Sequence, residues 1–273
     1  MRATRRLTLV LVLAAGALVA IPVNAGAAPN PGSTMLRPAA ETLPMLANST
    51  TQLVQGAHNA AGGCDFTPPD TLRLQPGQQA IELRQIGIDL TNCTSIYETG
   101  TPQETSTADA DGTTLSAVSD PARATGKAPQ SPGVQPLSYS GSGSGYEKAW
   151  QTDIINLTVN SVQTNVSWSW NYGCTQSGAG SVNYFWRSGT GWEPPYNNGS
   201  WITRTCDYVW VRSNADYKNT GFCWPNTVYS HYRDIAVAGW FDGGFAGSVG
   251  TVSHSGNGGC APLWDHWKLV RVT

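Results

Sequence analysis

The chain has 273 residues, 40% of them hydrophobic and only 12% charged, with a formal net charge of −2. That is long enough to bury a sizeable core, and the few, scattered Lys and Arg residues exclude nucleic acid as a partner, because phosphate binding needs gathered cations. Beyond the N-terminal segment no stretch is apolar enough to cross a bilayer.

Arg2, Arg5 and Arg6 precede an apolar run from Leu7 to about Val23, followed by Ala25-Gly26-Ala27. This reads as a signal peptide, residues 1–27, cleaved after Ala27, so the protein is expected to be secreted, extracellular and free of the membrane. Cleavage removes three arginines and no acids, so 16 basic residues become 13 against 18 acidic ones, a mature net charge of −5.

Residues 28–63 begin with Pro29, Pro31 and Pro38 and are expected to be poorly ordered at first, with room for a short helix between Leu46 and Ala61. Residues 64–100 read as a small β-unit, stapled by Cys64–Cys93 or packed on the C-terminal domain: Leu72 and Leu74 alternate, Gln75-Pro76-Gly77-Gln78 is a turn, and Ile81, Leu83, Ile86, Ile88 and Leu90 give two short runs with a bulge or tight turn between them. Residues 101–145 are rich in Thr, Ser, Ala, Asp, Gly and Pro and end in Ser140-Gly141-Ser142-Gly143-Ser144-Gly145, which reads as a flexible, disordered linker.

Residues 146–273 hold short alternating runs rich in aromatics, and all eleven tryptophans of the chain lie between Trp150 and Trp267. In Asn165–Tyr172, Val166, Trp168, Trp170 and Tyr172 alternate with polar residues, the pattern of a half-buried strand. About eight strands are expected, near 150–159, 162–172, 180–187, 200–212, 217–223, 227–241, 244–252 and 263–272, separated by turns such as Asn197-Asn198-Gly199 and Asp242-Gly243-Gly244. The fold class is therefore all-β, an antiparallel β-sandwich or jelly roll, with a closed barrel as the alternative. Trp168, Trp170, Trp186, Trp210 and Trp240 occupy alternating strand positions and are expected in the core; in Trp264-Asp265-His266-Trp267 alternation sends the two indoles to opposite faces.

Six cysteines in an exported chain read as three disulfides. The simplest pairing is sequential: Cys64 with Cys93, Cys174 with Cys206, and Cys223 with Cys260. Zinc is not indicated, since there is no C-x-x-C pair and no Cys/His cluster at ligand spacing, and no cofactor motif occurs.

Leu74-Gln75-Pro76-Gly77-Gln78 through Cys93, the polar segment after it, Val166-Ser167-Trp168-Ser169-Trp170, Trp186-Arg187-Ser188-Gly189-Thr190-Gly191-Trp192, and Tyr217-Lys218-Asn219 leading to Phe222-Cys223-Trp224 form a recognisable set. On these elements the chain resembles a loose group of uncharacterised exported actinobacterial proteins. The resemblance covers most of residues 64–273 and implies export and fold, but no catalytic residue or ligand.

Function has one suggestive stretch, Gly191 to Trp201, which strings Trp192, Tyr196 and Trp201 through a loop rich in Pro, Gly and Asn. Flat indole and phenol faces stack on sugar rings while groups such as Glu193 and Asn198 bond hydroxyls, so Trp192, Glu193, Tyr196, Asn198 and Trp201 are the expected ligand-binding residues of an extracellular glycan-binding protein. The competing expectation is that these rings fold back to close the sandwich. Two other classes stay open, a module that binds or inhibits another exported protein, and an extracellular hydrolase. No spacing pairs the carboxylates of Glu147, Asp153, Glu193, Asp207, Asp216, Asp234, Asp242 and Asp265 with one another or with a histidine, so no catalytic residue is assigned.

Overall fold

The computed structural model describes residues 35–37, 45–58, 64–68, 71–75, 77–103, 114–117, 140–153, 155–223, 226–256 and 263–272. Sixteen strands follow in chain order: β1 (Leu46–Gln55), β2 (Ala57–His58), β3 (Cys64–Asp65), β4 (Thr71–Arg73), β5 (Ala80–Asp89), β6 (Thr94–Pro102), β7 (Thr114–Ala117), β8 (Ser140–Thr152), β9 (Thr158–Asn171), β10 (Cys174–Trp186), β11 (Tyr196–Arg204), β12 (Tyr208–Cys223), β13 (Asn226–Trp240), β14 (Phe245–Ser248), β15 (Thr251–Gly256) and β16 (Trp264–Val272). They form an antiparallel sandwich. One sheet has eight strands in the order β1-β6-β5-β16-β8-β9-β10-β7; the other has six, β11-β12-β13-β14-β4, with β15 also paired to β13; β2 and β3 pair with each other in a separate two-stranded ribbon.

The strand that carries the clearest alternation, β9, supplies the middle of the core. Val162, Val166, Trp168 and Trp170 are buried against the six-stranded sheet, while Ser167 and its polar neighbours face outward. Two glycine positions on the facing strands make room for the Trp168 ring. A Cβ on Gly143, its cross-strand partner on β8, would lie 2.6 Å from the ring, and one on Gly239 of β13 would lie 2.2 Å from it. The indole stacks on Phe245 at 5.8 Å and its N–H donates to the Trp240 carbonyl at 2.9 Å.

Ser140–Gly145 is thus part of a strand rather than a linker, because Gly141 and Gly143 stand opposite Trp170 and Trp168, where a larger residue would collide. Residues 104–113 and 118–139 of the expected linker lie outside the described residues. Residues 64–100 do not stand apart as a separate β-unit either. β5 pairs with β16 inside the larger sheet and β4 pairs with β14 in the smaller one, so both are built into the sandwich. The helix expected after Leu46 is strand β1, paired with β6: Ser49, Thr50 and Thr51 carry no helical apolar stripe, and Asn48 sits at φ 52° where the pairing bulges.

Two strand expectations also shift. The run at 150–159 breaks at Asp153, whose carboxylate accepts the backbone N–H groups of Ile155 and Leu157. β12 passes unbroken through residues 213–216, where a bulge at Ser213/Ala215 absorbs the change of phase.

Cys64–Cys93 and Cys174–Cys206 are bonded as the spacing predicts, and the expected Cys223–Cys260 bond lies outside the described residues. Cys174–Cys206 ties the start of β10 to the β11–β12 turn and so joins the two sheets. In the chain-entropy account each bond contributes on the order of 3–4 kcal/mol. These disulfides place the protein in an oxidising compartment outside the cytoplasm. Among the described residues the only grouping at metal-ligand distances is His58 with Cys64 and Cys93, and there both sulfurs are committed to the disulfide. No helix among the described residues is long and apolar enough to cross a membrane.

Candidate functional site

The outward face of the six-stranded sheet carries the polar and aromatic residues at one end of β11, β12, β13 and β15. Alternation sets it: Tyr217 and Tyr232 point into the core, so Asp216, Lys218, His231 and Arg233 point out. Register then aligns them. Tyr196 stands opposite Asp216, Asp216 opposite His231, and His231 opposite Ser253.

Asp216 is the centre of this group. One carboxylate oxygen accepts from Asn197 Nδ2 at 2.8 Å; the other accepts from His231 Nδ1 at 2.8 Å and pairs with Arg233 Nη2 at 2.5 Å. Burial alone would raise this carboxyl, but the three donors outweigh it and hold Asp216 below the ordinary aspartate range. It is therefore an ionised acceptor in a fixed orientation. Tyr229 stacks beside His231 with ring centroids 6.2 Å apart, and Tyr196, 39% exposed, is pushed up by its partial burial and by the Asp216 charge.

The residues expected from sequence divide around this group. Glu193 and Tyr196 border it: Glu193 pairs with Lys218 Nζ at 3.0 Å, and both side chains are about 40% exposed. Asn198 is exposed in the bulge between Tyr196 and Gly199, and Trp201 is half-buried further along β11, opposite Arg212 on the same outward face. Trp192 departs from expectation. It is 2% exposed and packs in the main core, because the turn Ser188–Thr190 ends at Gly191 with φ 86° and returns the chain to bridge Asn219. Asn219 fixes that return by donating to the Thr190 carbonyl at 2.9 Å. Trp192 offers no ring face to a ligand.

Tyr229 and Arg233 were not singled out from sequence, and Asp216 was counted only as an unpaired acid, without His231 as its partner. The signal available was polar alternation, Tyr229-x-His231-x-Arg233 against Asp216-x-Lys218, but only the pairing register brings Asp216 to His231.

No protein family, no characterised protein and no solved structure matches this chain. The chemistry must be judged from the site itself. Asp216 held ionised cannot serve as a general acid, and Glu193 is engaged with Lys218. The described acids that burial raises, Glu82, Glu147 and Asp265, lie on other strands, away from this face. Aromatic faces beside fixed donors and an ionised acceptor suit reversible binding of a polyhydroxylated ligand.

Two open grooves lie elsewhere. Two adjoining hollows of about 550 and 420 Å³ run along the outer face of β8, β9 and β10 over Ser142, Ser144, Ser167, Ser177 and Ser181. Their floor is hydroxyl and small side chains, with Tyr146 the one aromatic ring facing outward there and no charged group, so size alone does not make them the better recognition surface.

Proposed function

We propose that this is an exported, non-catalytic binding protein that recognises a polysaccharide or cell-envelope glycan on the outward face of the six-stranded sheet. The observation that carries the reading is the exposed Tyr196 beside an Asp216 carboxylate oriented by Asn197, His231 and Arg233. Tyr196, Tyr229 and Trp201 would stack on the apolar faces of sugar rings. Asp216 would accept, and Arg233 and Lys218 would donate, hydrogen bonds to hydroxyls. Export is supported by the leader-like residues 1–27 together with the disulfides.

The test is co-sedimentation of the mature chain with insoluble chitin, cellulose, xylan and peptidoglycan, against Tyr196→Ala/Trp201→Ala and Asp216→Asn variants shown to be folded. Binding to one polymer, weakened at least about tenfold in both variants, supports the reading; a tenfold loss is about 1.4 kcal/mol. A folded parent that stays in the supernatant with all four polymers counts against it and turns attention to a protein partner.

One observation favours a hydrolase instead: Ser253, His231 and Asp216 stand in a row on three neighbouring strands, in the order of a nucleophile, a base and its orienting acid. Labelling of Ser253 by a fluorophosphonate would support that reading, and no labelling of the folded chain would end it.

A further inference from the structure

A second polar patch lies on the outward face of the eight-stranded sheet, remote from the aromatic face. Trp264 and His266 are two residues apart on β16 and share that face; Arg84 of β5 stands directly opposite His266, and Thr152 of β8 opposite Trp264. Such neighbours are about 5 Å apart across strands and about 7 Å apart along one. On its other side His266 is opposite Trp150, whose ring stacks on the imidazole with centroids 5.2 Å apart.

All three residues are sealed from solvent, with Trp264 1% exposed and Arg84 and His266 2% each. Each carries a buried nitrogen with no hydrogen-bond partner among the described residues: Arg84 Nη1, Trp264 Nε1 and His266 Nδ1. The first two are donors by their chemistry. The third follows from its surroundings. Burial, reinforced by Arg84, pulls the imidazole down to about 3, so the ring is neutral and bears one N–H. Thr152 Oγ1 lies 3.0 Å from His266 Nε2; when that hydroxyl donates, the ring proton resides on Nδ1 and a third donor joins the other two.

The charges around the patch lean the same way. Arg84 gives its Nε–H to Glu98 at 3.0 Å, and Lys268 faces Lys148 across the β16–β8 pair. Burial raises Glu82 toward its neutral form despite Arg84, Lys268 and Lys148. A buried donor without an acceptor costs about 1–3 kcal/mol, and three in one patch, one of them a guanidinium N–H, call for an anionic acceptor. The near-zero exposure of all three nitrogens fits a single-atom ion better than a tetrahedral oxyanion.

We propose that Arg84, Trp264 and His266 form a halide site that takes chloride, the bound ion locking β5 to β16 in the middle of the larger sheet. A halide accepts from several N–H groups at once without a directional lone-pair geometry, which suits donors arriving from two strands.

The test uses the full mature chain in sodium gluconate, replaced stepwise by sodium chloride, bromide or iodide at constant ionic strength, while thermal unfolding and tryptophan fluorescence are followed. Chloride is expected to raise the midpoint saturably, and iodide to quench part of the emission over a saturable range. Trp264→Phe, which keeps a ring and drops only the N–H, is expected to weaken the apparent halide affinity at least tenfold, and Arg84→Met to abolish it. Should Arg84→Met fail to fold, Trp264→Phe carries the test. Equal midpoints in gluconate and chloride for the parent, or a halide response of unchanged affinity in Trp264→Phe, overturns the proposal.

Discussion

At the scale of single residues, the core is governed by where a side chain is missing as much as by where one is present. Trp168 fits between the sheets because Gly143 and Gly239 lack a Cβ, and because its N–H finds the Trp240 carbonyl. Gly239→Ala would put a carbon 2.2 Å from the indole, which must then leave both its stacking partner Phe245 and its hydrogen bond. The expected cost is about 1–3 kcal/mol of unfolding free energy, the usual penalty for overpacking, with the loss of the hydrogen bond adding to it. Gly189 provides the control. It is exposed, and a Cβ there meets nothing within 4 Å, so Gly189→Ala should change stability by less than about 0.5 kcal/mol. Urea unfolding of the two variants separates them; equal midpoints would mean that the glycine slot does not hold Trp168 in place.

At the scale of elements, alternation within one strand was legible and partnership between strands was not. Val166, Trp168 and Trp170 announced β9, and cysteine spacing predicted both described disulfides, because each signal sits in a few consecutive residues or in simple spacing. Ser140–Gly145 looked like a linker because composition does not reveal that an indole waits opposite each glycine. Whether residues 64–100 dock on the rest of the chain was not legible, because nothing local in Leu83 points to Trp267, its partner on β16. The site shows the same limit: Tyr196 was visible as a loop aromatic, whereas Trp192 was turned inward by the backbone at Gly191, and Asp216 met His231 only through register. These pairings carry a prediction. A fragment beginning at residue 140 would leave β16 without β5, β14 without β4 and β10 without β7, opening three sheet edges and uncovering Trp267 and Leu269. Such edges aggregate or fray. The fragment is expected to lack a cooperative thermal transition and fixed near-UV circular dichroism, both of which the full chain should display; a fragment that melts cooperatively like the parent would show that residues 64–102 are dispensable to the sandwich.

At the scale of the whole molecule, stability should decline as the solution turns alkaline, because the sandwich buries acids in their neutral form. Burial pushes Asp265 up to about 7, with one hydrogen bond from Gln151 opposing it; it raises Glu147 well above the carboxyl range, with the Ser248 backbone opposing; and it raises Glu82 more modestly. Each acid binds its proton more tightly folded than unfolded. Its stabilising contribution is complete below about pH 4 and is lost as pH rises through the folded value. Two histidines act oppositely. His266, drawn down to about 3, and His254, lowered by burial, contribute fully above about pH 6.5 and lose that contribution as pH falls. Between about pH 4 and 6.5 the two sets oppose each other, and above that range the acids act alone. The unfolding free energy at about pH 8 is therefore expected to lie below that at about pH 6 by on the order of 2 kcal/mol. Asp265→Asn keeps an oxygen for the Gln151 side chain to bond and removes the titration, so it should flatten the part of the decline up to about pH 7. Glu147→Met, of similar length beside Leu269, should flatten the decline further. Denaturant melts of the parent and both variants at these pH values decide the matter: a parent profile that rises or stays level from pH 6 to 8, or one that neither substitution alters, would mean that these carboxyls are ionised inside the fold.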